Sequence, residues 1–438
     1  MVAVRLVRLM TLSALVCVGG AEPLWSEQLN RFERERARMI LKITREDVDK
    51  FYYDPAYHGV NLDAAFSAAN EKIEKAESIG QCFAAIARPL LAFKDSHTFF
   101  LPPARSARFE YGWHMKTVGE RSFVTAVEDG SDAAAKGLKR GDIIASIDAF
   151  TLTRDNLWGV NYVYRALAPR ETVRLKIQSP GGQPRDLEVA AKVQTKKRLL
   201  QLTRSSDVED YIHEIEDRAH MERHRFEDLG DDLLIWRMPQ FDLSPSEVKN
   251  DMRMVEKHKA LILDLRGNGG GAVETLGAMV GSFLDGEVKI GDVESRERMK
   301  PIVGKAAGDA WKGKLVVLID SQSASASELF ARVMQLEKRA TVIGDRSSGS
   351  VMMSRTYEHE VGSDTVIAFA TSITVANIIM KDGKSLEHTG VEPDELMLPA
   401  PEDIATGRDP VLARAASLCG VTLDPEKAGS FFPVEWKK

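Results

Sequence analysis

The 438-residue sequence contains only three cysteines, Cys17, Cys82 and Cys419. That excludes a disulfide-stapled scaffold, and neither Cys82 nor Cys419 has the neighbours of a metal site. A basic excess is lacking too. The net charge is −6, which argues against nucleic acid as a partner. The run RERMK around Arg296 is short and of mixed charge, as on a solvated face. Beyond the N-terminus no apolar stretch is long enough to span a bilayer. Internal repeats and low-complexity segments are absent. What remains is globular: 44% hydrophobic and 28% charged residues, over a length that suits two to three domains.

The first residues read MVAVRLVRLMTLSALVCVGGAEPLW. Arg5 and Arg8 precede a short apolar core, Leu9 to Val18, and small residues follow at Gly19 and Ala21. This predicts an export signal at residues 1–21, cleaved near Ala21, and a periplasmic or secreted protein. Cys17 follows Val16, too bulky for a lipoprotein site. Of the other two cysteines, pairing and a free state both stay open.

Residues 22–106 read as a helical domain. Leu29, Phe32, Met39, Ile40 and Ile43 have helical spacing, and Leu62 to Ala92 returns to it. The stretch LLAFKDSHTFFLPP, Leu90 to Pro103, passes from a helix end into a strand. Residues 107–198 change to strands: EYGWHMK, RSFVTAVE, then ETVRLKIQS with DLEVAAKV as a hairpin. Between them, Ser131 to Leu152 is a short helix closed by Gly137, then a Gly141-Asp142 turn into Ile143 to Ile147. This order resembles the PDZ domain, which binds peptide ends by adding a strand to its sheet. Residues 199–230 are polar and read as a linker with helix. From Asp232 onward strands alternate with helices, which predicts a parallel sheet covered by helices. Ser244 stands as the N-cap of SPSEVKNDMRMVEKH.

Two stretches carry chemistry. KLVVLID runs into SQSASASELF, Ser321 to Phe330, so small hydroxyl residues sit where a buried strand ends and a helix begins. Free N–H groups and the positive dipole end there suit a nucleophile and an oxyanion. N-capping is the plainer use of the same serines. In LILDLRGNGGG three glycines follow a strand. They lack the Gly-Lys-Ser/Thr ending of a phosphate loop and the spacing of a dinucleotide site. Backbone donors for an oxyanion are the remaining use. Asp264 and Arg266 read as a structural pair at that turn.

LDLRGNGGG, SASASELFA, ATVIGDRSSG and SLEHTGVEPD, in this order over residues 232–398, resemble the serine peptidase family of C-terminal processing proteases and the core of tricorn protease. The resemblance implies a crotonase-like α/β core over residues 199–438, serine peptidase activity on extended or unfolded polypeptide, and no cofactor or metal. It implies Ser325, rather than Ser323 or Ser327, as nucleophile. C-terminal processing proteases place a lysine base 25 residues later. Position 350 is Ser350, and no lysine lies between Lys338 and Lys381. Tricorn-like members instead use a histidine from a Ser-His pair and a late glutamate, here Ser96, His97 and Glu387, with Glu360 and Glu392 as competitors for the last. His388 is expected to be exposed. The oxyanion hole falls to Ala326 and one of Gly269, Gly270 and Gly271, with Gly270 preferred.

Polypeptide substrate and peptide termini at the PDZ-like domain are the implied partners. The substrate preference and the oligomeric state stay open. A binding protein for peptide tails or small hydrophobic ligands on the same fold is the alternative, and keeping Ser325, His97 and Glu387 together argues against it. A crotonase-like enzyme for acyl-thioesters is argued against by the export signal and the PDZ-like domain.

Overall fold

A computed structural model describes residues 29–104, 107–195, 223–306, 308–362, 366–434 and 436. The expected leader at residues 1–21 and most of the expected linker, residues 199–222, lie outside the described residues.

The described residues begin with the α-helices α1 (Arg31–Phe51), α2 (Leu62–Glu74) and α3 (Ile79–Leu91). At α1 the Asn30 side chain accepts the Glu33 N–H and Glu33 answers to the Asn30 N–H, both at 2.9 Å. Such a cap contributes about 1 kcal/mol. Ala37, Ile40, Leu41, Thr44 and Val48 form the buried face of α1. A short strand follows, β1 (Phe99–Leu101), and it pairs antiparallel with a strand at residues 367–380. Residues 92–98 therefore lead straight from helix into the distant half of the molecule.

The middle region is β-rich. β2 (Ala107–Glu110) pairs with β9 (Lys192–Thr195) as a ribbon. Between them lie β3 (Trp113–Val118), β4 (Arg121–Val127), β5 (Ile143–Ile147), β6 (Phe150–Thr151), β7 (Thr172–Gln178) and β8 (Arg185–Ala190), in the sheet order β3-β4-β5-β7-β8 with β6 on β5. Two helices accompany them, α4 (Asp132–Ala135) and α5 (Leu157–Tyr162). In β7 Val173, Leu175 and Ile177 are buried while their neighbours are exposed, the alternation of a sheet with one face on a core.

The rest builds two sheets. β10 (Arg225–Asp228), β11 (Leu233–Arg237), β12 (Ala260–Asp264), β15 (Lys314–Ile319), β16 (Thr341–Gly344) and β19 (Glu395–Leu396) lie side by side in that order. All neighbours are parallel except β10 and β11. Helices α6 (Pro245–Val255), α7 (Val273–Phe283) and α8 (Ala326–Leu336) cover one face, and α9 (Pro410–Leu418) lies on the other. Every residue of β12 is buried. Each fully buried Leu or Ile there contributes about 1.5–3 kcal/mol. β10 falls inside the stretch read as a linker. Three of its four residues are charged, so its pairing with β11 leaves no apolar pattern to read.

The second sheet is antiparallel and takes β1, then β18 (Ile367–Met380), β13 (Glu287–Glu294) and β14 (Ile302–Lys305), with β17 (Met352–Val361) on β18. The middle region docks beside the strand ends. Arg154 Nη1 meets Asp345 Oδ2 at 3.0 Å, with both side chains under 10% exposed, and Lys116 Nζ meets Asp320 Oδ2 at 3.1 Å. Arg154 also donates to the carbonyls of Gly119, Arg346 and Ser347.

Candidate active site

Between β15 and α8 the chain makes a turn of serines. Asp320 fixes it, accepting the Gly267 N–H at 2.9 Å and the Gln322 N–H at 3.0 Å. Burial alone would raise this carboxyl, but Lys116 and the two amides hold it below the ordinary range. The three serines then differ. Ser323 is fully buried and its hydroxyl donates to Leu265 O at 2.7 Å. Ser327 is fully buried and donates to Asn268 O and Ala324 O. Ser325 is half-buried, and its Oγ has no hydrogen-bond partner among the described residues.

Ser325 also holds a backbone of φ 55° and ψ −119°, which side-chain-bearing residues seldom adopt. Such strain persists only where surroundings fix it. Here the Ser325 N–H donates to Ser350 O at 2.8 Å and to Glu328 Oε2 at 3.0 Å. Ser350, at the position where the resemblance expects lysine, thus lies against the turn through its carbonyl. Its hydroxyl meets Ser348 Oγ at 2.8 Å.

The glycine turn after β12 packs on the same spot. Gly270 has φ 105°, and a Cβ there would lie 2.6 Å from Ser325 Cβ and 3.1 Å from Ala326 N. Only glycine allows this approach. Ala326 N–H, at the first position of α8, has no partner among the described residues, as the first helical turn requires. The Gly270 N–H is donated to Asn268 Oδ1 at 2.8 Å. Among the described residues the open amides on this turn are those of Gly269 and Gly271. Asp264 and Arg266 pair in two bonds of 2.8 Å, with Asp409 completing the cluster.

The histidine side comes from the bend between α3 and β1. Asp95 Oδ1 accepts the N–H groups of His97 and Thr98, and so shapes the bend. Ser96 Oγ lies 2.6 Å from His97 Nδ1 and 3.0 Å from Glu387 Oε2. The hydroxyl has one proton. With that proton on the carboxylate, Nδ1 carries the other and Nε2 is left bare. Glu387 further accepts the Ser96 N–H at 2.8 Å and the Val351 N–H at 2.7 Å. Burial pushes the Glu387 carboxyl above its ordinary value, and these donors pull partly back. Burial lowers the His97 pKa, opposed by Asp95, so the ring is neutral at pH 7.

Ser96, His97 and Glu387 therefore form one relay, and Ser325 and Ala326 form one turn with Gly270 of the glycine turn packed against it. The two meet at Ser350–Val351, where Ser325 binds one residue and Glu387 the next. No hydrogen bond links His97 to Ser325 among the described residues. His388 is exposed, as expected, and lies 3.9 Å from Glu387. Cys82 and Cys419 are both free thiols, Cys82 fully buried. No cluster that could hold a metal occurs among the described residues, and no described helix is long and apolar enough to cross a membrane. Sequence reading missed Glu328, which binds the serine turn. Its signal was present as the Ser-x-x-Glu spacing of a capping box.

Residues 232–397 match the model of Peptidase family S41. The tail-specific protease of Haemophilus influenzae is 28% identical over 73% of this chain and 46% of its own. The chain thus spans less than half of that relative. The chloroplastic C-terminal processing peptidase of Tetradesmus obliquus is 24% identical over 85% of this chain and 78% of its own. Among solved structures, mature CPAF complexed with lactacystin superposes with a TM-score of 0.60 at 15% identity, over 85% of this chain and 96% of that one. The photosystem II D1 C-terminal processing protease gives 0.51 at 19% identity, over 90% and 99%. At such identities the superpositions speak for the mixed α/β fold. Residues 232–397 are a Peptidase S41 family domain, homologous to the C-terminal processing proteases and tricorn protease.

Proposed function

We propose that the protein is an exported serine endopeptidase that cleaves extended or unfolded polypeptides, with Ser325 as nucleophile and His97 as base. The observation that carries this reading is the free, strained Ser325 beside two serines whose hydroxyls are tied to the main chain. Serine attacks only when a base takes its proton. His97 Nε2 takes the Ser325 Oγ proton, and Oγ bonds to the scissile carbonyl carbon. The carbonyl electrons move to oxygen, where Ala326 N–H and an amide of the glycine turn receive the charge. Gly269 and Gly271 are open for this now; Gly270 serves once Asn268 releases it. His97 then protonates the leaving amine. A water, deprotonated by the same ring, hydrolyses the ester and restores Ser325. Nδ1–H stays on Ser96, and Ser96 stays on Glu387, which stabilises the imidazolium. His97 reaches Ser325 by a small closure with substrate, since such bonds often tighten only in the complex.

The other parts of the reading rest on sequence pattern. The PDZ-like order of residues 107–198 and the edge position of β3 support capture of peptide ends. The crotonase-like description fits the parallel sheet with flanking helices. Export rests on Arg5, Arg8 and the apolar run after them.

A fluorophosphonate probe tests the core of the proposal. The mature protein should be labelled at Ser325, and His97→Ala should slow labelling severely. A folded protein that turns over no unfolded substrate and takes no label would favour the ligand-binding alternative.

A further inference from the structure

Glu328 is fully buried, one turn into α8, and its carboxylate has all four acceptor positions filled. Oε2 takes the Ser325 N–H at 3.0 Å and the Ser350 N–H at 2.9 Å. Oε1 takes the Ser347 hydroxyl at 2.5 Å and the Gly349 N–H at 2.8 Å. No cation among the described residues answers it. Arg332, one turn further along α8, goes to Asp382. On the 345–350 loop, Asp345 is paired with Arg154 and Arg346 lies towards Glu392. On the turn at residues 386–392, Glu387 binds Ser96 and Val351, and His388 lies 3.9 Å from Glu387. Below, Arg266 is held by Asp264 and Asp409. None of these is within ion-pair distance of Glu328.

We propose that Glu328 is a positioning residue for the Ser325 reaction: as an anion it clamps the amides of Ser325, Gly349 and Ser350, and its protonation releases the clamp. The inference rests on the reading of Ser325 as nucleophile. Three of the four partners are amides, which cannot accept a proton. A protonated carboxyl has to donate, and Ser347 Oγ is the one partner able to receive. That oxygen already accepts the Val391 N–H at 2.6 Å. Protonation on Oε1 displaces the Ser347 hydroxyl as a donor, and protonation on Oε2, where both partners are amides, loosens Ser325 or Ser350 directly. The helix dipole favours the anion, yet burial pushes this carboxyl up to about 7. The clamp thus opens in the range where many cellular compartments lie.

The test follows fluorophosphonate labelling of the full chain from pH 5 to 9. In the wild type the rate should fall as pH drops through about 7, with the His97 limb lower still. Glu328→Gln faces an amide NH₂ against donors. It should label about ten- to a hundredfold more slowly at pH 8 and lose the upper limb. Ser347→Ala removes one donor from the anion, so its upper limb should move to higher pH. A merely structural Glu328 would not shift that limb, and neither would titration of Glu387, which Ser347 does not touch. Superposable profiles for wild type and Glu328→Gln overturn the inference, as does an unmoved limb in Ser347→Ala. Should Glu328→Gln fail to fold, wild type and Ser347→Ala decide. A wild type unlabelled at every pH overturns the nucleophile reading itself, and the clamp with it.

Discussion

Two buried carboxylates take consecutive amides at the start of one strand, Ser350 N–H by Glu328 and Val351 N–H by Glu387. Their other partners separate them. Glu328 holds backbone, and so sets where Ser325 stands. Glu387 holds a hydroxyl that holds an imidazole, and so sets which nitrogen is bare. One carboxylate fixes shape and the other fixes a proton. The difference teaches that a buried acid in a site needs its donors examined before it is given a chemical role.

The strongest way to break the comparison is to remove the two groups these carboxylates serve. Ser325→Ala and His97→Ala should each lower kcat for an unfolded protein substrate by roughly 10⁴–10⁶, with the double variant little worse. Additive losses, measured at equal folded concentration, would mean the two are not one unit. Next comes Glu387→Gln. Its amide nitrogen would face either the Ser96 hydroxyl and the Val351 N–H or the Ser96 N–H, and the relay would lose its charged acceptor. A fall of roughly 10²–10⁴ in kcat is expected, with KM nearly unchanged. A loss under tenfold would take Glu387 out of the proton relay.

Stability against pH sharpens the contrast further. Glu328 is raised from the ordinary value of 4.5 to about 7, so the folded state holds this proton more tightly than the unfolded chain. Its contribution is present below about 4.5 and is lost as pH rises through about 7. By the shift of two to three units this amounts to roughly 3 kcal/mol. His97 has the opposite sign. Its pKa is lowered, so the unfolded chain protonates first and stability falls as pH drops below about 6.5. Denaturation midpoints of wild type and Glu328→Gln at pH 5 and pH 8 should show the Glu328 part vanish in the variant. The smallest effect belongs to Ser350→Ala, which removes a hydroxyl and leaves the carbonyl and amide that the clamp uses. Turnover within about threefold of wild type is expected; abolition with the fold intact would make the hydroxyl a participant.

Much of this was legible in the sequence where one element decides. The apolar runs of β12 and β15 read as buried parallel strands, and the serine turn between β15 and α8 read as a helix start. Ser244 caps its helix as expected. What was hidden depends on distant partners. Nothing in SASAS says that Ser323 and Ser327 turn inward to Leu265 and Asn268 while Ser325 does not. The antiparallel sheet of β13, β14, β17 and β18 went unread. β18 is buried on both faces along much of its length, so it lacks the alternation that marks a half-exposed strand. Arg154 looks like any loop arginine until Asp345 arrives beside it. The engagement of Gly270 by Asn268 is likewise a side-chain detail that glycine spacing cannot show.

The pairing of β1 with β18 also bears on when the site comes into being. Phe99 lies opposite Ser372, so His97 is delivered by a strand that must close a loop across most of the chain. Such distant closures are slow steps, because the entropy of the loop is lost before contacts reward it. A ribosome releasing the chain would expose the Ser325 turn while the relay still lacked Glu387. The protein would thus be born inert, and hydrolytic power would be among the last properties that folding confers.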